Sequence, residues 1–82
     1  MPSTLARPRP LLIQVQPSGT GWSVGVENEP PRHYQSKYWA LQAAELIASH
    51  RHLADGQPTA VELQMPDGDR VLWRRFHTAS QR

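Results

Sequence analysis

The sequence contains no cysteine, which excludes disulfide bridges, thiolate metal sites and a cysteine nucleophile together. Lysine occurs once, at Lys37, and the cationic charge is otherwise arginine. No apolar run approaches the roughly 18–20 residues of a membrane span. Arg7 and Arg9 precede an apolar stretch of only Leu11 to Ile13, too short for the central region of a secretory signal. Export by that route is therefore not expected, and the cytoplasm is the default location. Phenylalanine occurs once, so three tryptophans and two tyrosines are nearly the whole aromatic content.

What is present fits one domain of 82 residues. A chain of this size buries only about 60% of its unfolded surface, so a two-layer fold is expected, with or without a partner subunit to complete it. The net charge of +2 conceals an asymmetry. Arg7 and Arg9 stand without an acid in residues 1–10, as do Arg70, Arg74, Arg75 and Arg82 in residues 70–82, whereas the body between them is acidic. Basic ends on an acidic body can serve nucleic acid; sparse basic tails also simply aid solubility.

Prolines at 2, 8 and 10 remove backbone donors and fix φ, which makes residues 1–10 an extended or disordered arm. Leu11 to Gln16 alternates, with Leu11, Ile13 and Val15 on one side, as a half-buried strand does. Pro17 to Gly21 reads as a turn. Trp22 to Glu27 alternates again, with Trp22, Val24 and Val26 inward, so the two runs form a hairpin. Asn28 to Pro31 breaks the sheet, and His33 to Gln35 makes a short third strand.

A helix from Lys37 to Ala54 follows, capped by the Ser36 hydroxyl and stopped by Asp55-Gly56. Spacings of three, four and seven put Trp39, Ala43, Leu46, Ile47 and Ala54 on its core face, flanked by Ala40, Ala44 and Ala48. Tyr38, Gln42, Glu45, Ser49 and His52 form the solvent face. Thr59 to Met65 is a strand with Val61, Leu63 and Met65 inward. Pro66 to Asp69 is a tight reversal. Arg70 to Phe76 is the last strand, and residues 77–82 form a polar tail. Strict alternation would put Val71, Trp73 and Arg75 on one face of that strand, and Arg70, Leu72, Arg74 and Phe76 on the other.

The order β-β-(β)-α-β-β describes an α+β two-layer domain, an antiparallel sheet of four or five strands with one helix on one face. The open face would carry Gln14, Gln16, Ser23, Glu27, Glu62 and Gln64. Gly21-Trp22-Ser23-Val24, Ser36-Lys37 leading into the alanine-rich helix, Val61-Glu62-Leu63 and Asp67-Gly68 together resemble a family of short bacterial proteins known only as a domain of unknown function. The resemblance covers about Leu11 to Phe76; it implies a strand hairpin, one helix and a closing hairpin, and implies no activity.

Each candidate for chemistry meets a structural alternative. His50 and His52 are two apart on a helix and diverge by about 200°, so no metal site is expected; His50 reads as a partly buried residue near the helix C-terminus. Gly19-Thr20-Gly21 opens onto a strand rather than a helix N-terminus and lacks the phosphate-loop lysine, so it reads as a turn. Asp67-Gly68-Asp69 lacks the rest of a calcium loop and is also a turn. Glu45, Ser49 and His52 form one helical stripe, but on a convex surface nothing would exclude water or hold an oxyanion.

The tryptophans fit inward positions. Phe76 beside Arg74 and Arg75 has the composition that holds a stacked base. The reading is a non-enzymatic interaction module without cofactor, metal or membrane contact, associating with a protein partner or with itself. Leu72, Arg74, Arg75 and Phe76 are the expected surface, since a strand apolar on both sides needs a cover. The alternative is weak nucleic-acid binding through Arg7, Arg9, Arg70, Arg74 and Arg75.

Overall fold

A computed structural model describes residues 10–76. The strands are β1 (Leu11–Ser18), β2 (Gly21–Val26), β3 (Arg32–Tyr34), β4 (Thr59–Gln64) and β5 (Arg70–Phe76), with helix α1 (Lys37–Asp55) between β3 and β4. One sheet in the order β3-β2-β1-β4-β5 carries α1 on a single face, which is the two-layer α+β architecture expected. The arm over residues 1–9 and the tail over 77–82 lie outside the described residues.

The alternating patterns dictate the core. Ile13 stands between Val26 and Val61 in register, and Val15 between Val24 and Leu63. These six side chains form two rows across the three central strands, all of them buried under the helix. Aliphatic side chains of this size stabilise by about 1.5–3 kcal/mol each when fully buried. The first turn is tighter than the five residues expected, because Ser18 pairs with Gly21 and leaves a two-residue loop. Gly19 takes φ +58 there, a conformation that suits the first position of a hairpin loop.

One pairing departs from the expected antiparallel sheet. β1 and β4 run parallel, while the other three pairs are antiparallel. The reason is the helix. Two hairpins return β3 to the direction of β1, and 19 helical residues then carry the chain back along the sheet for about 28 Å. β4 therefore starts where β1 starts. It docks on the free side of β1, which centres the helix over the sheet.

The caps of α1 are those expected. The Trp39 amide donates to Ser36 Oγ at 3.1 Å, and Gly56, at φ +71, donates its amide to the His52 carbonyl at 2.7 Å. The core face is not the one expected. Ala40, Leu41, Ala44 and Ala48 are buried; Ala43 and Ile47 are half-buried; Trp39, Leu46 and Ala54 are exposed. The helix is rotated by roughly one residue step, about 100°. Three alanines four apart let the backbone approach the sheet closely, and the Thr59 hydroxyl, fully buried, donates to the Ala48 carbonyl at 3.1 Å. The larger apolar residues are lifted to the outer side, where Trp39, Leu46 and Leu53 stand seven apart in one line. Of the tryptophans expected inside, Trp22 packs against the core half-buried, and Trp39 and Trp73 do not enter it.

Two substitutions test this packing. Ala44→Leu overfills the helix–sheet contact and is expected to cost about 1–3 kcal/mol, while Leu46→Ala stays within about 0.5 kcal/mol; urea melts that give the reverse order would reinstate the Leu46 face. Gly21→Ala would place a Cβ 2.4 Å from the Tyr34 carbonyl oxygen, whereas at Gly25 a Cβ meets nothing within 4 Å. Gly21→Ala should therefore lower the urea midpoint clearly and Gly25→Ala should leave it nearly unchanged.

Candidate functional site

The two edges of the sheet differ. β3 has three residues, and Pro30 and Pro31 before it offer no amide hydrogen for pairing. β5 has seven residues and no proline, and among the described residues no strand lies beyond it. Its centre is apolar and open: Val71 is 44%, Leu72 51% and Trp73 45% exposed. A long edge of this kind presents unpaired amides and carbonyls beside exposed apolar side chains.

The faces of β5 are not those of strict alternation. Val61 stands opposite Arg74 and Glu62 opposite Leu72, so Trp73 is an extra residue in a bulge. The bulge moves everything after it to the other face. Residues directly opposite share a face, so Arg70, Leu72 and Arg75 lie on the open side of the sheet beside Gln64, Glu62 and Ala60. Val71, Arg74 and Phe76 lie on the helix side beside Leu63, Val61 and Thr59. The expected sharing of one face by Leu72, Arg74 and Phe76, with Arg75 opposite, is thus corrected. The strand is apolar on both faces, as its sequence indicates, and only Phe76 is partly covered.

Glu45 organises the helix side. Its Oε2 accepts from Trp73 Nε1 at 2.7 Å and lies 3.7 Å from Arg74 Nε. Arg74 also sits with its guanidinium 6.0 Å from the Phe76 ring centre, and the Phe76 ring lies 6.4 Å from that of His52. The helix face expected in solvent is therefore partly occupied, since Glu45, Ser49 and His52 are half-buried beside β5, while Tyr38 and Gln42 are exposed. The carboxylate–indole contact is a feature that sequence reasoning missed. Alternation places Trp73 on the face of Val71, but nothing local marks which face of β5 the helix covers or that Glu45 reaches it.

The candidates for chemistry are not assembled. Ser49 Oγ donates to the Leu46 carbonyl at 3.4 Å, and His52 Nδ1 faces the Gln57 carbonyl at 2.9 Å, so with Glu45 engaged by β5 no hydrogen bond joins the three. His50 is exposed and His52 half-buried, the reverse of the expected environment of His50. Gly19-Thr20 is a hairpin loop. In the last turn, the Gly68 amide donates to the Met65 carbonyl at 2.9 Å and the Asp69 amide to Asp67 Oδ1 at 3.0 Å. Among the described residues no group of three His, Asp or Glu is arranged to hold a metal ion, and no helix is long and apolar enough to cross a membrane.

The arginines are dispersed rather than gathered. Arg70 and Arg75 flank Leu72 on the open face, Arg74 leans to the helix, and Arg7 and Arg9 lie outside the described residues. The open face also differs from expectation, since Ser23 is buried and Glu27 follows the end of β2. A second apolar feature, a shallow groove of about 410 Å³, runs between the helix and β3, lined by Tyr34, Trp39, Gln42, Ala43 and Leu46. Comparison with family models, curated proteins and solved structures gives no match for the chain.

Removing the Glu45 carboxylate isolates its contribution. Glu45→Ala should shift the Trp73 indole N–H proton resonance and leave those of Trp22 and Trp39 in place. The cost in stability should stay under about 1 kcal/mol, as for other partly exposed ion pairs. An unmoved Trp73 resonance would remove this contact from the description of the site.

Proposed function

We propose that this chain is a non-enzymatic protein-association module, and that it docks an extended segment of a partner along the β5 edge. The observation that carries the reading is the asymmetry of the sheet: one edge is three residues behind two prolines, and the other is seven residues with an exposed Val71-Leu72-Trp73 centre. An added strand would satisfy the outer backbone groups of β5, and alternate side chains would set specificity. The bonds already made by Glu45, Ser49 and His52 argue against chemistry on the helix.

The energetics set a modest affinity. Ladder bonds contribute about 1 kcal/mol each net of solvation, and covering the exposed halves of three apolar side chains adds at about 25 cal/mol per Å². Association costs at least about 4 kcal/mol. Micromolar dissociation constants follow, at about −8 kcal/mol, rather than nanomolar ones.

A displayed library of random nine-residue peptides, selected against the folded protein, is the test. Enriched peptides should perturb the backbone amides of β5 above all others. Leu72→Ala or Trp73→Ala should weaken them at least tenfold, whereas Leu53→Ala on the outer side of the helix should not. Binders that map to the helix–β3 groove and ignore β5 would transfer the function to that groove.

A further inference from the structure

We infer that the segment docking on β5 is acidic and comes from a different protein, not from a second copy of this chain. The inference rests on the edge-docking reading and adds the chemistry of the occupant. β5 carries Arg70, Arg74 and Arg75 and no acid in seven residues. The carboxylate near Arg74 is Glu45 at 3.7 Å, and neither Arg70 nor Arg75 has an ion-pair partner within 4 Å among the described residues. Arg74 keeps more than half of its side chain in solvent despite Glu45. Antiparallel pairing of two β5 strands would gather six arginines in a single two-stranded ladder, and like charges set opposite or diagonal to one another destabilise such a ladder. Charge and a bulge are also the devices by which an edge strand resists its own kind.

The same three arginines attract an acidic strand. Because the bulge divides them, with Arg70 and Arg75 on the open face and Arg74 on the helix face, an incoming strand meets positive charge on both of its sides. Apolar residues between the acids would lie against Leu72 on one face and Val71 and Trp73 on the other. Nucleic acid fits less well. Its phosphates need a continuous basic track, and here Glu62 lies opposite Leu72 on the open face while Asp67 and Asp69 precede Arg70.

The test uses the full chain and two peptide pools of nine residues, with apolar residues randomised between glutamates in one and between lysines in the other. Fluorescence anisotropy and amide shifts are followed from about 20 to about 300 mM salt, a range over which the screening length shortens severalfold. The glutamate pool should shift β5 amides, exceed the lysine pool at least tenfold in affinity, and weaken as salt rises. Arg74→Ala/Arg75→Ala should cost at least fivefold. Arg70→Ala/Arg75→Ala, which leaves the Glu45 contact intact, should do the same if the charge itself is responsible. Equal binding of the two pools at β5 would overturn the acidic occupant and leave edge docking standing. Micromolar self-association lost in Leu72→Ala would overturn it in favour of a second copy. Tighter binding of a single-stranded or duplex oligonucleotide at β5 would overturn it in favour of nucleic acid. If neither pool shifts β5, both this inference and the edge-docking reading fall.

Discussion

The structure depends on the fit of a single helix to a sheet wider than itself. Five strands at about 4.8 Å span roughly 19 Å, and a helix with its side chains is about 10–12 Å across. α1 therefore covers the central strands and leaves both flanks thinly covered. Its placement over β1, β2 and β4 accounts for the core, which is two rows of aliphatic side chains under a line of alanines. It accounts equally for the open character of β5. The large apolar residues that a second helix would cover in a fuller α/β layer here stay at the surface.

The parallel β1–β4 pair comes from the helical crossover, and the alanine face sets how closely that helix lies. A single helical crossover returns the chain to the end of the sheet where β1 begins, so β4 must run parallel to β1. The helix then lies over that pair, at a separation set by Ala40, Ala44 and Ala48. Larger side chains at those positions would lift the helix and uncover Val15 and Val61. The Thr59 hydroxyl bonded to the Ala48 carbonyl fixes the same approach from the strand side.

At the edge, a single extra residue decides the chemistry. The bulge at Trp73 turns Arg74 and Phe76 toward the helix, the side on which the Trp73 indole meets Glu45, and brings Arg75 beside Leu72 on the open face. The strand thereby shows apolar and cationic groups on both sides. Without the bulge, Arg74 and Phe76 would share the open face with Leu72; with it they keep a common face, the guanidinium 6.0 Å from the ring centre, on the helix side.

The sequence by itself determined the elements, their order and the caps of the helix, because those signals are local. Alternation at Ile13, Val15, Val24 and Val26, the Ser36 hydroxyl at the helix start, Gly56 after its end and Asp67-Gly68 in the last turn each act within a few residues, through backbone geometry and nearby hydrogen bonds. What it left open was every choice between alternatives that the local pattern satisfies equally. The helix has apolar residues over more than half of its circumference, so periodicity admits both the Trp39–Leu46 line and the Ala40–Ala44–Ala48 line. Only the close approach to the sheet selects the smaller one. The parallel pairing and the faces of β5 are likewise decided by where β4 docks and by one unpaired residue in the last strand, neither of which is marked in the chain. The candidate site was legible to the same extent: Leu72, Arg74, Arg75 and Phe76 lie on the strand where the sequence points, and their faces were settled by the tertiary pairing, since a shift of one residue turns a side chain to the opposite side of a sheet.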